Sequence, residues 1–369
     1  MSIDNNNIEN DKNTLKKIYG HYGGFWRYPE MLDFCYLVNP YFTRSGIVEE
    51  MQKFFPILVS QYPSGLYENS KLASECWNIR PEYIIPGNGA AELIKDLMED
   101  TNGNVGVIRP TFEEYPNRLL DNQIISFISK DKEFRYNEDD IIGFYEKHSI
   151  DVLLLINPDN PSGNFITPEG VRKLAEWTNS KGIQFVLDES FVDFSIGYKE
   201  NTCLSNDFLE EYPNMCVVKS ISKSYGVPGL RLGILCSSNV ELVSKLKKKV
   251  SIWNINSFAE FFMQIYPKYK KEYIVACDQF IKTRNDFEVE LKKIPYIHVM
   301  PSQANYFFLE VLPPYTPIEL CAILLKKYNI LASACLAKKG IEPNKYMRIA
   351  IRNHGDNEHL INALIELSK

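Results

Sequence analysis

The 369-residue sequence predicts an α/β protein with a three-layer, mainly parallel sheet in a large domain, joined to a smaller α+β domain. Short apolar runs alternate with helical patterns between residues 90 and 250, which is typical of parallel strands connected by helices. The runs at 152–157 and 183–188 are almost continuously apolar, as expected for strands with helices on both faces. A chain of this length exceeds one ordinary core, so we expect two domains, the larger spanning 45–255.

The elements of the large domain follow one another in a regular order. Strands are predicted at 105–109, 123–128, 152–157, 183–188, 215–220 and 232–237, and helices at 90–100, 141–149, 168–181 and 239–250. The pattern changes after residue 255. A long helical pattern at 257–294 precedes an apolar segment at 296–311, a helix at 317–328, a strand at 345–352 and a closing helix at 356–368. This second part, 256–369, predicts the smaller α+β domain.

Composition and charge argue against several classes of function. The sequence is 45% hydrophobic and 24% charged, and its net charge of −6 gives no reason to expect nucleic acid or an anionic membrane as a partner. No apolar run reaches about 18 residues, so no membrane span is expected. The first residues are polar and include acids, unlike a signal peptide. Eight scattered cysteines without a C-x-x-C pair predict neither a metal site nor disulfides, and favour a reduced, cytoplasmic setting.

The most informative motif is residues 220–233, SISKSYGVPGLRLG. Lys223 follows two serines, and Arg231 comes just before the apolar run at 232–237. The glycines could also indicate a dinucleotide-binding loop, but such a loop follows a strand and begins a helix. These glycines precede a predicted strand, which argues against dinucleotide binding. The segment resembles the cofactor-lysine segment of the aminotransferase superfamily that uses pyridoxal 5'-phosphate (PLP). In that superfamily the lysine forms a Schiff base with the PLP aldehyde, and the cofactor carries the chemistry.

Polar clusters follow several of the predicted strands. One begins at Asn157 and includes Asn160, a second begins at Asp188, and a third includes Lys223. A fourth, GNGAAE at 87–92, precedes the helix at 90–100. Because ligands bind at the carboxyl ends of strands in such sheets, we expect the four clusters to converge on one crevice.

Each cluster supplies a group that PLP chemistry needs. The Lys223 amine would move a proton to or from the substrate, and we expect desolvation and nearby positive charge to lower its pKa. Asp188 would pair with the pyridine nitrogen, although an Asp at this position is also a common helix N-cap. Asn160 would donate to the ring O3′ oxygen, or be only a turn residue. Phe112 would stack on the ring, with core packing as the alternative.

A predicted phosphate site combines small residues that open a helix with hydroxyl and guanidinium donors. Small residues allow a phosphate to come close to the backbone N–H groups and the positive end of the helix dipole. The planar guanidinium of arginine presents several N–H donors that match the oxygens of a phosphate. The members of this site are Gly89, Ala90, Ala91, Ser220, Ser222 and Arg231.

Nearly the whole chain resembles the PLP fold type I aminotransferases, in the branch that holds histidinol-phosphate aminotransferase and threonine-phosphate decarboxylase. The matching segments are YGGFWRYPEMLDFCYLVNP, QYP, GNGAAE, NPDNPSG, DESFVDF, SISKSYGVPGLRLG, ANYFFLEV and RIAIRN. The resemblance implies that residues 1–44 join the small domain. It also implies a homodimer in which Tyr62 reaches the PLP phosphate of the partner subunit. Arg348 would bind the substrate carboxylate, beside Asn39 and Asn160.

Two departures from the family pattern leave the reaction open. Phe191 occupies a position where the aminotransferase has tyrosine, which favours the decarboxylase. Ser333 occupies the position of an arginine that binds the substrate phosphate in both relatives. A phosphate would then need another cation, and the candidates are Lys338, Lys339, Arg27 and Arg352.

We therefore expect a PLP-dependent aminotransferase that acts on a small amino or keto substrate, phosphorylated or not, with an amino acid such as glutamate as donor. The alternative is a PLP-dependent decarboxylase of a phosphorylated hydroxy-amino acid, such as serine phosphate or threonine phosphate.

Overall fold

The computed structural model describes residues 5–42, 46–336 and 338–369. The helices are α1 (Asn5–Tyr19), α2 (Gly46–Ser60), α3 (Leu66–Trp77), α4 (Ala90–Met98), α5 (Glu138–Tyr145), α6 (Pro168–Lys181), α7 (Tyr198–Asn201), α8 (Asn206–Glu211), α9 (Ile221–Ser224), α10 (Val240–Lys247), α11 (Ser257–Ile265), α12 (Lys270–Leu291), α13 (Pro317–Tyr328) and α14 (His354–Glu366). The strands are β1 (Leu32–Asp33), β2 (Ile84–Asn88), β3 (Val105–Arg109), β4 (Ile124–Ile128), β5 (Val152–Ile156), β6 (Gln184–Asp188), β7 (Met215–Ser220), β8 (Leu232–Cys236), β9 (Ile297–Val299), β10 (Tyr306–Val311), β11 (Ile330–Leu331) and β12 (Tyr346–Ala350).

A seven-stranded sheet in the order β2-β8-β7-β6-β5-β3-β4 forms the centre of the larger unit. Strand β8 runs antiparallel to both of its neighbours, and the other neighbouring pairs are parallel. Successive side chains of β5 pack into different hydrophobic cores: Leu153 and Leu155 lie on one face of the sheet and Leu154 on the other. Helices cover both faces, and the predicted fold class is confirmed.

Strand β2 was not predicted from the sequence. It contains Pro86, which lacks a backbone donor and is tolerated only where no neighbour needs that donor. Among the described strands, β2 lies at one end of the sheet order and pairs with β8 alone, with Pro86 opposite Ile234. The edge position therefore explains why a strand forms in a segment whose proline argues against one.

The smaller unit contains an antiparallel sheet, β12-β10-β9, and a parallel pair formed by β1 and β11. Its core includes Leu15 of α1, Phe307 of β10 and Leu360 of α14, so the N-terminal helix packs with the C-terminal elements. The predicted domain boundary at residue 45 lies outside the described residues. The division into 45–255 and the two flanking segments stays a prediction.

The predicted long helix at 257–294 is instead two helices. Helix α11 ends at Ile265, a short 3₁₀ turn covers Tyr266–Tyr269, and α12 begins at Lys270. Pro267 lies in the turn, where it cannot donate the hydrogen bond that would continue α11. Within the described ranges, no helix is both long enough and apolar enough to cross a membrane.

Candidate active site

A cavity of about 820 Å³ lies at the carboxyl ends of β5, β6 and β7. Nine of the predicted site residues line it, in agreement with the expected convergence of polar clusters on one crevice. They are Ala90, Ala91, Phe112, Asn160, Asp188, Ser220, Lys223, Arg231 and Arg348. The first part of the chain adds an aromatic wall that includes Tyr19, Tyr22, Phe25 and Tyr36. Sequence reasoning missed this wall, although the cluster of aromatic residues in the first 36 positions was a usable signal.

The amine of Lys223 is enclosed by aromatic rings. Lys223 lies on α9, directly after β7, and its Nζ is 4.1 Å from the ring centre of Phe191 and 5.2 Å from that of Phe112. Burial lowers the pKa of Lys223 to about 8, with Asp188 opposing this and the nearby arginines Arg348 and Arg231 adding to it. The cause expected from the sequence, desolvation with neighbouring positive charge, is therefore present.

Asp188 is held in one orientation at the end of β6. Its Oδ1 accepts a hydrogen bond from the backbone N–H of Ser190 at 2.8 Å, and its Oδ2 accepts one from the Tyr115 hydroxyl at 2.8 Å. Burial and the Asp188 charge raise the pKa of Tyr115, so that the phenol remains a donor. The role of Tyr115 was not predicted, because nothing in the local pattern distinguishes it from a core tyrosine.

The start of α4 and Arg231 approach each other closely. The backbone N–H of Gly89 donates to the carbonyl of Arg231 at 2.8 Å, and Gly89 has φ of 73°. A Cβ at Gly89 would lie 2.3 Å from Nη2 of Arg231, and one at Gly233 would lie 2.2 Å from the backbone nitrogen of Ala90. Only glycine fits at these two positions, which leaves the helix start and the guanidinium together beside the cavity. That pairing of donors is suited to a phosphate.

Arg348 on β12 is anchored but retains an unused donor. Its Nη1 donates to Oδ1 of Asn160 and its Nη2 to the carbonyl of Cys35, both at 2.9 Å. The buried Nε of Arg348 and the buried Nδ2 of Asn39 lack hydrogen-bond partners among the described residues. The backbone N–H of Asn39 donates to the carbonyl of Lys223 at 2.9 Å, so this residue also adjoins the site. Buried donors without partners are uncommon in folded proteins, and an acceptor supplied by a ligand is one way to satisfy them.

Four predicted residues do not line the cavity itself: Gly89, Asn39, Ser222 and Tyr62. The hydroxyl of Ser222 is engaged with the backbone of Leu232 at 3.3 Å. Tyr62 is 79% exposed and stacks on Trp253, with ring centres 4.5 Å apart. The roles predicted for these residues toward a cofactor stay predictions.

Residues 48–364 match the family model for aminotransferases of class I and II. The chain belongs to this family. Its members use PLP, so the cofactor predicted from the Lys223 segment is confirmed. The predicted branch is also confirmed, because histidinol-phosphate aminotransferases and a threonine-phosphate decarboxylase are among the relatives.

Three comparisons within this family bear on function. An L-serine phosphate decarboxylase of Campylobacter jejuni is 30% identical, with 92% of this chain and 89% of that protein covered. A CMP-5'-(3-aminopropyl)phosphonate synthase of Streptomyces rubellomurinus is also 30% identical over 94% of this chain, which spans about half, 54%, of that protein's length. The solved structure of a decarboxylase from Sulfurospirillum multivorans superposes with a TM-score of 0.84 at 28% identity, covering 94% of this chain and 91% of that one.

The residues around the cavity fit PLP by their chemistry. The start of α4, Ser220 and Arg231 would hold its phosphate, Asp188 its pyridine nitrogen and Lys223 its aldehyde carbon. Gly89 supports this assignment, because any larger residue would displace the Arg231 guanidinium.

Proposed function

We propose that this protein is a PLP-dependent decarboxylase of an amino acid with a phosphorylated side chain, and that L-serine phosphate is the first substrate to test. The observation that carries the proposal is the apolar surface beside the Lys223 amine. Phe191 is 1% exposed, packs edge-to-face on Tyr306 with ring centres 5.2 Å apart, and presents no hydroxyl to that amine. An aromatic wall that excludes water favours loss of a carboxylate, whose charge spreads as CO₂ departs.

The comparisons also support this proposal over the aminotransferase expected from the sequence. Both the L-serine phosphate decarboxylase of Campylobacter jejuni and the Sulfurospirillum multivorans decarboxylase match more than nine-tenths of this chain. From the sequence, transamination is the expected reaction and decarboxylation the alternative, whereas the relatives favour decarboxylation.

In the proposed reaction the bond between Cα and the carboxyl carbon breaks, CO₂ leaves, and a proton is added at Cα. The chemistry that bound PLP would supply is an electron sink for the pair that the broken bond leaves on Cα. Arg348, whose Nη1 is positioned by Oδ1 of Asn160, binds and orients the carboxylate, with Asn39 beside it. The Lys223 amine, with a pKa of about 8, is mostly protonated near neutral pH and donates its proton to Cα. Phe191 and Phe112 keep water from that proton transfer.

The test is product analysis with the PLP-loaded protein. We expect L-serine phosphate to give CO₂ and ethanolamine phosphate in equal amounts, and Lys223→Ala to abolish both while the protein stays folded by circular dichroism. A parallel reaction with glutamate and a keto-phosphate acceptor measures 2-oxoglutarate. Formation of 2-oxoglutarate without CO₂ release from either serine phosphate or threonine phosphate would refute the decarboxylase and restore the aminotransferase.

We also propose that the protein is a homodimer that associates through α2 and the segment at 252–253. Large apolar side chains are exposed along this surface: Phe54, Phe55, Ile57, Val59, Tyr62, Ile252 and Trp253. A set of large exposed apolar side chains such as this is suited to burial against a second copy of the chain. Sedimentation analysis should give a dimer for the wild-type protein and a monomer for Ile57→Glu. A monomeric wild-type protein with full activity would contradict this proposal.

A further inference from the structure

The cavity is lined by basic side chains beyond those assigned above to PLP and the substrate carboxylate. Its charged lining residues are Lys16, Lys223, Arg231, Lys338 and Arg348 against Glu113 and Asp188, which leaves three excess positive charges in a chain whose net charge is −6. The preceding assignments use Lys223, Arg231 and Arg348. Lys16 is exposed on α1 at the outer wall, whereas Lys338 is half-buried. Lys338 is thus the inner cation without an assigned role.

Close packing of its loop holds Lys338 beside the cofactor pocket. The Lys338 Nζ donates a hydrogen bond to the carbonyl of Thr111, the residue before Phe112. Two residues further on, Gly340 has φ of +88°, and a Cβ there would lie 2.7 Å from Cβ of Arg109. Because only glycine allows this approach, the loop rests directly on the segment that carries Phe112, and the Lys338 side chain is directed into the cavity.

The Lys338 amine has no carboxylate partner among the residues that the structure describes. Glu113 is near but forms a pair with Arg109, whose Nη1 lies 2.6 and 2.5 Å from its two carboxylate oxygens. Burial, and then repulsion from Arg348, lowers the pKa of Lys338, with Glu113 and Asp159 opposing this. A partly buried cation with only a carbonyl for a partner is incompletely compensated, and an anionic ligand would complete it.

The other three candidate cations for a substrate phosphate do not line the cavity. Lys339 forms an exposed ion pair with Asp121 at 3.3 Å. Arg352 pairs with Asp356 at 2.8 Å and donates to the carbonyl of Asp33, while the exposed Arg27 donates to the carbonyl of Gly24. None of these three lines the cavity, whereas both Ser333 and Lys338 do.

We propose that Lys338 binds the distal acid group of the substrate, as the cation that replaces a guanidinium at Ser333. The identity of the substrate rests on the proposed function, but the assignment of the cation does not. An ammonium is a point charge without the planar fork of arginine, so it selects for an anionic group with little demand on that group's geometry. The Lys338 ammonium therefore selects an amino acid with an anionic group at the end of its side chain, and the identification of that group as a phosphate rests on the proposed function.

The test measures ligand binding rather than turnover. Ethanolamine phosphate and L-alanine are titrated into the PLP-loaded wild-type protein, Lys338→Gln, Lys338→Arg and the matched surface control Lys339→Gln, with absorbance and calorimetry as readouts. L-Alanine carries the carboxylate but no phosphate. We expect Lys338→Gln to weaken ethanolamine phosphate binding about ten- to 150-fold, the range of a hydrogen bond to a charged group. L-Alanine binding should change less than about twofold, Lys338→Arg should retain most of the affinity, and Lys339→Gln should match the wild-type protein.

Unchanged affinity of Lys338→Gln for ethanolamine phosphate would overturn the inference. Equal weakening of both ligands would also overturn it, because it would show that Lys338 only supports the loop through Thr111. A wild-type protein that forms 2-oxoglutarate but releases no CO₂ from either serine phosphate or threonine phosphate would refute the decarboxylase and leave this binding test intact. Failure of the proposed function and failure of the Lys338 assignment are therefore separate results.

Discussion

Replacement of Lys223 by methionine should make the cofactor-free protein more stable near neutral pH. The folded state lowers the pKa of this amine from 10.5 to about 8. Below about pH 8 the amine is charged in both states, and the folded state bears the full cost of burying it. Between about pH 8 and 10.5 the unfolded state binds more protons, so the free energy of unfolding rises with pH. The difference between the two pKa values corresponds to about 3 kcal/mol of lost stability near pH 7. Methionine keeps a flexible, unbranched side chain without the charge.

Urea unfolding of the two PLP-free proteins at equal concentrations measures the effect. Linkage predicts that the free energy of unfolding of the variant exceeds that of the wild-type protein by about 3 kcal/mol near pH 7. This difference falls to about 1.4 kcal/mol near pH 9.5, because the wild-type amine loses its proton. Near pH 7, where the amine is charged, the lost contact of the ammonium with Phe191, at 4.1 Å, offsets roughly 0.5–1 kcal/mol of this gain; near pH 9.5 the amine is neutral and this offset is absent. The variant should therefore remain the more stable protein at neutral pH, although it lacks the residue assigned to catalysis.

Lys219→Met is the matched control with the opposite sign. Lys219 is also a buried lysine, but its Nζ lies 2.8 Å from Oδ1 of Asp193, and the pKa of Lys219 is raised because the charges of Asp193 and Glu189 outweigh burial. Its removal leaves a buried carboxylate unpaired and should destabilise the protein by about 3–5 kcal/mol. A Lys223→Met variant no more stable than the wild type near pH 7, or a gain that grows toward higher pH, would refute the linkage reasoning.

Three further substitutions test the cofactor pocket. Gly89→Ala should weaken PLP binding at least about tenfold, because the added methyl group would displace the Arg231 guanidinium and strain the backbone. Absorbance titration of the cofactor-free protein with PLP measures the dissociation constant, and an unchanged value would contradict this prediction. Tyr115→Phe should cost about 0.5–1.5 kcal/mol in PLP affinity by freeing one oxygen of Asp188, whereas equal affinity would mean that this hydrogen bond does not position the carboxylate. Phe191→Tyr should lower CO₂ release relative to transamination in the product assay, and an unaltered ratio would remove Phe191 as a determinant of the reaction.

Local signals were sufficient for most of the elements of the large sheet. The strand predicted at 215–220 and the helix predicted at 168–181 agree with β7 and α6 at both ends. Helix α6 has all of its boundary signals close in sequence: Thr167 caps its start, Pro168 occupies its first turn, and Gly182 ends it in the left-handed conformation. The missed β2 depends instead on pairing with β8, about 150 residues away, which no local pattern records.

The cofactor can be predicted from local sequence motifs, whereas the groups that select the substrate depend on contacts between residues far apart in the sequence. Lys223 follows β7, Asp188 ends β6 and Arg231 directly precedes the antiparallel β8, in motifs that can be recognised in the sequence. The order and direction of these strands bring the three positions to one edge of the sheet. The two neighbouring lysines Lys338 and Lys339 are chemically identical in the sequence. In the folded chain one amine enters the cavity and the other pairs with a surface aspartate. The loop that carries both lysines packs against Arg109 through Gly340, a contact between residues far apart in the sequence, and so the roles of the two lysines become distinct only in the folded chain.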